Sequence, residues 1–255
     1  PSMSRTALDA RLSPAWRAVL LASATSAATV IAAVVLSLAA PQLDTLTARL
    51  IVVIALAVAA VIVVATSRHR DLLWSGGVWV PLLIVPTLIV LAPFAGGLKD
   101  LGAQTTLILV VGYIATGVFE EFWFRGVILR TLRTWTPLRA ALFSSALFGL
   151  AHLSNLVFGA NLWVTIAQVV GAACYGVGFA ALRLRGTSIW ALVVLHAITD
   201  IALQLGDVSS AWRWGIMIGG DTALLIFGLI ILRKAPKSAP QEVLPVPLAT
   251  GSARQ

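Results

Sequence analysis

The sequence carries very little charge and a single cysteine. Only 11% of its 255 residues are Asp, Glu, Lys or Arg, whereas a soluble domain contains about 25% of these residues. This deficit excludes a largely water-exposed surface, and the mean hydropathy of +0.97 indicates a membrane protein. The single cysteine, Cys174, lies in an apolar run, so no intrachain disulfide is possible and a small buried side chain is expected there.

The basic excess does not indicate nucleic-acid binding. The formal net charge is +8, but the Lys and Arg residues lie between apolar runs, which is typical of the loops that set membrane topology. We therefore expect the lipid bilayer and no nucleic acid as a partner. The first apolar run is too long for the core of a signal peptide and has no convincing cleavage site, so no cleavable signal is expected.

Eight apolar runs divide the chain. They cover residues 16–40, 49–66, 78–95, 103–134, 138–156, 162–182, 187–205 and 212–232. Because a lipid-embedded backbone must satisfy its own hydrogen bonds, these runs predict an all-α, polytopic transmembrane helical bundle of about eight helices. We expect one transmembrane domain over 16–234. Residues 1–15 are then an N-terminal cytoplasmic segment, and the Pro-, Ser- and Ala-rich residues 235–255 are a disordered cytoplasmic tail.

Basic residues are concentrated at one end of the predicted bundle. The loops at this Arg-rich end contain Arg68, Arg70, Arg130, Arg133, Arg139, Arg183, Arg185 and Arg233. The opposite, Arg-poor end has only Arg49, Lys99 and Arg213. This asymmetry predicts that the Arg-rich end and both termini are cytoplasmic. The Ala- and Arg-rich, Lys-poor usage is typical of a bacterium with high genomic GC content, so we expect a multi-pass protein of the bacterial cytoplasmic membrane.

Ionisable side chains inside apolar spans are costly and therefore indicate function. Those in the predicted spans, apart from residues at the span ends, are Glu120, Glu121, Arg125, His152, His196, Asp200 and Asp221. At 1.5 Å per residue, Glu120, His152 and His196 lie about 15, 20 and 16 Å from the Arg-rich end. The three side chains are therefore expected to share one layer near the middle of the bilayer.

Helical spacing predicts two pairs within this layer. Glu121 and Arg125 are four residues apart and are expected to form an ion pair that leaves Glu120 outside it. His196 and Asp200 have the same spacing, so Asp200 is expected to accept a proton from one imidazole nitrogen and fix the tautomer. On its own helix, His152 has only Asn155 as a comparable partner.

These residue types suit the hydrolysis of a peptide bond without a covalent intermediate. Glu120 would take a proton from a water molecule, His152 would hold that water or protonate the leaving amine, and His196 would donate to the oxyanion. We expect the pocket to receive water from the cytoplasmic end. Other intramembrane chemistries are disfavoured, because the chain has no His-Glu-x-x-His motif and no serine in a nucleophile motif. An aspartyl pair is also disfavoured, since Gly219-Gly220-Asp221 is not the Gly-x-Gly-Asp of that class.

Three motifs resemble those of one enzyme family. Glu120-Glu121-Phe-Trp-Phe-Arg125 resembles EExxxR, Phe148-Gly-Leu-Ala-His152 resembles FxxxH, and His196-Ala-Ile-Thr-Asp200 resembles HxxxN/D. This ordered set is similar to that of the CAAX-protease/bacteriocin-processing (CPBP, or Abi) intramembrane proteases, over residues 112–205.

The resemblance implies a catalytic core at about 103–205 within the transmembrane domain, and it implies roles for these side chains. Glu120 would be the water-activating glutamate with His152 as its partner, Glu121 and Arg125 would support it, and His196 and residue 200 would form the oxyanion site. Eukaryotic CAAX-processing members have Asn at the last position, whereas this chain has Asp200, as bacterial members do. An ionised Asp only accepts hydrogen bonds, so it would orient His196 rather than donate to the oxyanion.

Several alternatives stay open at this point. No cofactor is predicted, but zinc or another divalent metal on Glu120, His152 and His196 is an alternative. The substrate is expected to be a peptide or membrane protein of unknown identity. A catalytically silent scaffold or regulator of the same family and a proton-coupled transporter are the alternative functions. Asp221 has no role in the resemblance.

Overall fold

The computed structural model describes residues 12–233, which form a bundle of eight main helices. They are α1 (Pro14–Ala39), α2 (Thr45–Thr66), α3 (Val80–Leu91), α4 (Ala103–Glu120), α5 (Pro137–Ala151), α6 (Leu162–Leu184), α7 (Ile189–Leu205) and α8 (Ser210–Arg233). Each helix falls on one of the eight predicted apolar runs, so the predicted polytopic helical bundle is confirmed. Most of the N-terminal segment 1–15 and the whole tail 235–255 lie outside the described residues.

Local sequence signals fix where several helices begin. Ser13, Asp44 and Asn161 precede α1, α2 and α6, and each side chain accepts a hydrogen bond from a backbone N–H in the first turn. These caps satisfy donors that have no partner within the helix. Pro14 is the first residue of α1, where its fixed φ favours the helix and its missing N–H costs nothing.

Within residues 12–233, six helical segments are long and apolar enough to cross a membrane, whereas α3 with its following 3₁₀ turn (Ala92–Gly96) and α7 are shorter. Backbone pairing joins the ends of these two shorter helices. Gly77 and Thr187 pair before the helices begin, and Leu98 and Gly206 pair after they end. The helices α3 and α7 are therefore parallel neighbours whose flanking residues are hydrogen-bonded at both ends. Residues 12–233 contain no strand beyond these isolated pairs.

Two helices change their winding near the middle of the bundle. Helix α4 continues as a π-helix over Glu121–Ile128 and ends with the turn Leu129–Thr131. Helix α5 is followed by a 3₁₀ helix over His152–Phe158. Such departures from α-helical geometry are frequent at functional sites. The two segments begin at Glu121 and His152, which are both predicted to lie in the layer near the middle of the bilayer.

The tightly packed core occupies the Arg-rich half of the bundle. Many of its buried side chains come from the continuation of α4, from α5 and from the second half of α6. By contrast, the described 3₁₀ segment His152–Phe158 at the Arg-poor end of α5 has no buried residue. The outer faces of the helices expose many Leu, Ile and Val side chains, as expected for surfaces that meet lipid.

Candidate active site

The Glu121 carboxylate lies at the junction between α4 and the π-helix and is fully buried. Its Oε1 is 3.2 Å from Nη1 of Arg125, which is also buried. The predicted ion pair is therefore present. Since both charges are removed from solvent, each depends on the other for compensation.

His196 joins the carboxylates of α4 to α7. Its Nδ1 donates to Glu121 Oε1 at 2.6 Å, and its Nε2 is 3.4 Å from Glu120 Oε2. The Oδ2 atom of Asp200 is 3.7 Å from the same Nε2. Three of the predicted site residues, Glu120, Glu121 and Asp200, are thus grouped around the His196 imidazole, with carboxylates beside both of its nitrogens.

The prediction that Asp200 fixes the orientation of His196 is wrong. Glu121 accepts the hydrogen bond from Nδ1, and Asp200 lies beyond hydrogen-bond distance on the other nitrogen. The reason is the close approach of α4 and α7 at Gly117. A methyl group at this position would lie 3.0 Å from the Val193 carbonyl oxygen, so only a glycine allows the approach without adjustment.

His152 is oriented by the backbone of its own helix. Its Nδ1 is 2.9 Å from the Phe148 carbonyl oxygen, where it acts as the donor, so Nε2 is the nitrogen left for chemistry. Asn155, the partner that the sequence suggested, instead donates to Gln168 Oε1 at 2.9 Å. The sequence does not indicate this contact, because every residue in a helix has a backbone carbonyl four positions before it and nothing distinguishes the one at Phe148.

An aromatic cluster surrounds the imidazoles. The Phe148 ring lies edge-to-face with both His152 and His196, at centroid distances of 4.9 and 6.1 Å. The Arg125 guanidinium lies 4.0 Å from the Phe148 ring centroid. Tyr175 and Phe179 of α6 also lie edge-to-face with His196, at centroid distances of 5.6 and 6.2 Å. Phe148 therefore links all three motifs, and Tyr175 and Phe179 are site residues that the sequence analysis missed, since aromatic side chains in apolar runs look like ordinary core residues.

Exposure rises across the site from the Arg-rich side to the Arg-poor side. The side chains of Glu121 and His196 are 0% and 6% exposed, whereas those of Glu120 and Asp200 are 18% and 28% exposed. On the Arg-rich side, nearly every residue from 121 to 129 is buried. Packed side chains therefore close the Arg-rich side of the site. Which end of the bundle is cytoplasmic stays a prediction, and so does the access of water from the cytoplasm.

Asp221 lies apart from the group around His196. It lines a cavity of about 60 Å³ between α3, α6, α7 and α8, together with Tyr175 and Thr199. Tyr175 contacts His196 with its ring, so the Asp221 cavity lies behind the wall of the site. Within residues 12–233, no three His, Cys, Asp or Glu side chains are arranged to hold a metal ion, and the alternative ligand set Glu120, His152 and His196 does not form such a group.

Comparison with known proteins agrees with the motifs. Residues 102–202 match the family model described as "Type II CAAX prenyl endopeptidase Rce1-like". The matched segment includes the EExxxR, FxxxH and HxxxD motifs, and it confirms the predicted resemblance to the CAAX-protease/bacteriocin-processing family. No curated protein and no solved structure matches the chain significantly.

Proposed function

Starting from this family match over residues 102–202, we propose that the protein is an intramembrane endopeptidase that hydrolyses peptide bonds of membrane-associated peptides or proteins. The observation that supports this best is the position of His196 between Glu120 on one nitrogen and Glu121 on the other. A carboxylate beside an imidazole is the pairing that general acid–base catalysis of hydrolysis needs.

In this proposal Glu120 is the general base. It is the more exposed member of the two adjacent glutamates, and its Oε2 accepts no hydrogen bond from the described residues. Its carboxylate takes one proton from a water molecule, whose oxygen forms a bond to the carbonyl carbon of the scissile peptide. Glu121 has a different task, because Arg125 and His196 already occupy its Oε1.

His196 stabilises the tetrahedral oxyanion. The Nδ1–H bond to Glu121 holds the ring, and an Nε2–H in the doubly protonated imidazole donates to the oxyanion. Asp200 lies on the same side as Nε2 and adds negative charge that favours this donor. The Phe148 and Tyr175 rings restrict rotation of the imidazole, so the donor is aimed before the charge develops.

His152 assists the reaction before the C–N bond breaks, by holding the attacking water. Because Nδ1 donates to the Phe148 carbonyl, Nε2 of the neutral ring is an acceptor that positions the attacking water. When the C–N bond breaks, the nitrogen receives the proton that Glu120 took from water. The products are one carboxylic acid and one amine, so one water is consumed and no covalent intermediate forms.

A purified preparation in detergent tests this function directly. We expect membrane-peptide substrates to be cleaved by the wild type, with products identified by mass spectrometry, in the presence of EDTA because no step uses a metal. Glu120→Gln is expected to reduce the rate by ~10²–10⁴-fold. Asp207→Asn, an exposed carboxylate in a loop at the Arg-poor end, is the control and should cleave normally. A binding-only protein or a transporter would yield no cleaved peptide from any variant.

A further inference from the structure

The Arg-rich side of the site is closed by packed side chains. Leu72, Phe122, Val127 and Ile189 form a buried cluster with Val64 and Val193. Leu72 comes from the 3₁₀ helix Arg70–Leu73 in the α2–α3 loop and packs directly against the π-helix. A methyl group at Gly126 would lie 2.9 Å from Leu72 Cδ1, so any larger residue at this position would displace the Leu72 side chain.

Hydrogen bonds hold this loop in place. Arg130, in the turn that ends the continuation of α4, forms a bidentate ion pair with Asp71. Arg183 of α6 donates to the Ser75 side chain at 2.9 Å, and Trp190 Nε1 donates to the Leu73 carbonyl at 3.0 Å. The loop is therefore tied to α4, α6 and α7, which makes it part of the closed end rather than an opening.

The Arg-poor side of the site is different in composition and packing. Beyond Asp200, polar side chains from several helices lie toward the Arg-poor end, whereas the cluster that closes the other side consists of apolar side chains. Tyr113 of α4 lies near both Asp200 and Gln204 of α7. Asn155 and Gln168 are joined by a hydrogen bond beside His152, and neither is fully buried.

The outermost part of this polar surface carries a positive charge. Arg49, near the start of α2, has its guanidinium 5.4 Å from the Phe158 ring centroid. Among residues 12–233, no carboxylate lies within ion-pair distance of Arg49. Five polar side chains from five segments, Arg49, Tyr113, Asn155, Gln168 and Gln204, thus lie between the catalytic group and the Arg-poor end.

We propose that the substrate reaches Glu120 from the Arg-poor end of the bundle, as an extended peptide segment bound along these five polar side chains. The proposal rests on the proposed peptidase function and specifies its substrate as a segment exposed on that side of the membrane. An extended peptide has unpaired backbone N–H and C=O groups, which are costly in an apolar environment. The amide, hydroxyl and guanidinium groups of this path pair with them, whereas the apolar cluster at the Arg-rich side offers no such partners.

Side-specific labelling of single cysteines tests the path without requiring catalysis. In a Cys174→Ala background, Tyr113→Cys and Gln168→Cys report on the path and Val127→Cys on the closed side. Arg133→Cys and Asp207→Cys mark the Arg-rich and Arg-poor ends. A membrane-impermeant maleimide is applied to sealed vesicles before and after permeabilisation. We expect the two path cysteines to react from the same side as Asp207→Cys, and Val127→Cys to react only after denaturation.

Two outcomes of the labelling experiment would contradict the proposed substrate path. Path cysteines that react from the Arg133→Cys side, or from neither side, would overturn the proposal. Repeating the labelling in Glu120→Gln gives the same pattern if access is independent of catalysis, so failed hydrolysis and failed access are distinguishable.

A second measurement tests whether the path carries substrate. In the active enzyme, a bulky maleimide on Gln168→Cys should lower peptide cleavage at least tenfold, whereas the same adduct on Asp207→Cys should leave cleavage unchanged. Equal cleavage by both adducts would contradict the substrate path even if both residues are accessible. Tyr113→Cys provides the same comparison if Gln168→Cys folds poorly.

Discussion

Glu121 and His196 are joined by a 2.6 Å hydrogen bond between two helices, from imidazole Nδ1 to carboxylate Oε1. The same oxygen lies 3.2 Å from the guanidinium of Arg125. One buried carboxylate therefore connects the EExxxR and HxxxD motifs and leaves its neighbour Glu120 available on the other side of the imidazole. In the proposed mechanism, Glu121 holds the His196 imidazole and Glu120 transfers the proton.

Breaking the buried ion pair should destabilise the protein strongly. Glu121→Gln leaves the Arg125 charge buried without a counterion, so we expect a loss of ~3–5 kcal/mol. The double variant Glu121→Gln with Arg125→Met removes both charges and should recover part of this stability. Thermal unfolding in detergent measures the shifts. If Glu121→Gln unfolds at the wild-type temperature, the carboxylate does not compensate Arg125.

Asp200 and Glu121 should differ sharply in their effect on catalysis. Asp200→Asn removes a charge 3.7 Å from Nε2 but keeps the Nδ1 bond, so we expect activity within tenfold of wild type. Glu121→Gln weakens the bond that holds the ring and is expected to cost ~10²–10³-fold, as for the loss of an oxyanion-hole donor. Both rates are measured on the same peptide with variants confirmed as folded. The reverse order of effects would return the orienting role to Asp200.

Phe148 should be needed for activity beyond its contribution to packing. Phe148→Leu removes the ring that contacts both imidazoles and Arg125, at a cost of ~2 kcal/mol for a buried cation–π contact. We expect kcat to fall at least tenfold with KM little changed. Phe143→Leu is the matched control, since Phe143 packs on Trp135 at the Arg-rich end. Equal kcat losses in both variants would mean that Phe148 is only a packing residue.

The Asp71–Arg130 ion pair should make the free energy of unfolding depend on pH in the acid range. Hydrogen bonds from Arg130 hold the pKa of Asp71 below its ordinary value of 3.8. Because the folded-state pKa is lowered, the pair stabilises the fold above pH 3.8 and this contribution is lost as the pH falls through the folded-state pKa. Both side chains are partly exposed, so we expect ~1 kcal/mol or less.

The pH effect is measured by comparing unfolding of the wild type and Asp71→Asn between pH 2 and 7. The wild type should be more stable at neutral pH, and the difference should shrink toward zero in acid. High salt should also reduce it, since exposed ion pairs are screened. A difference that grows in acid would contradict the assigned pKa shift.

Much of the fold follows from the lengths of the apolar runs, because a continuous apolar span in lipid satisfies its own backbone hydrogen bonds as a helix. The run 162–182 predicts α6 at Leu162–Leu184, and the run 103–134 predicts α4 with its continuation to Thr131. The grouping of Glu120 with His196 also follows from their predicted depth. Cytoplasmic orientation of the termini is still a prediction from the distribution of arginines.

Contacts between helices were harder to predict, because the sequence pattern fixes the spacing within a helix but not the distance between helices. The i, i+4 rule gave the Glu121–Arg125 pair correctly and wrongly gave Asp200 the orienting role. The orienting role belongs to Glu121 because α4 and α7 approach closely at Gly117, which places Glu121 beside His196. The π-helix beginning at Glu121 has no apolar signature, so the sequence did not indicate it.

The most direct test of the account is made in the native membrane. Cells producing the wild type and cells producing Glu120→Gln at equal levels are compared by proteomic identification of new peptide termini. We predict a set of termini from membrane-associated substrates that appears with the wild type and is absent with Glu120→Gln. If the same termini appear with both proteins, Glu120 is not the catalytic base and the proposed hydrolytic mechanism is wrong.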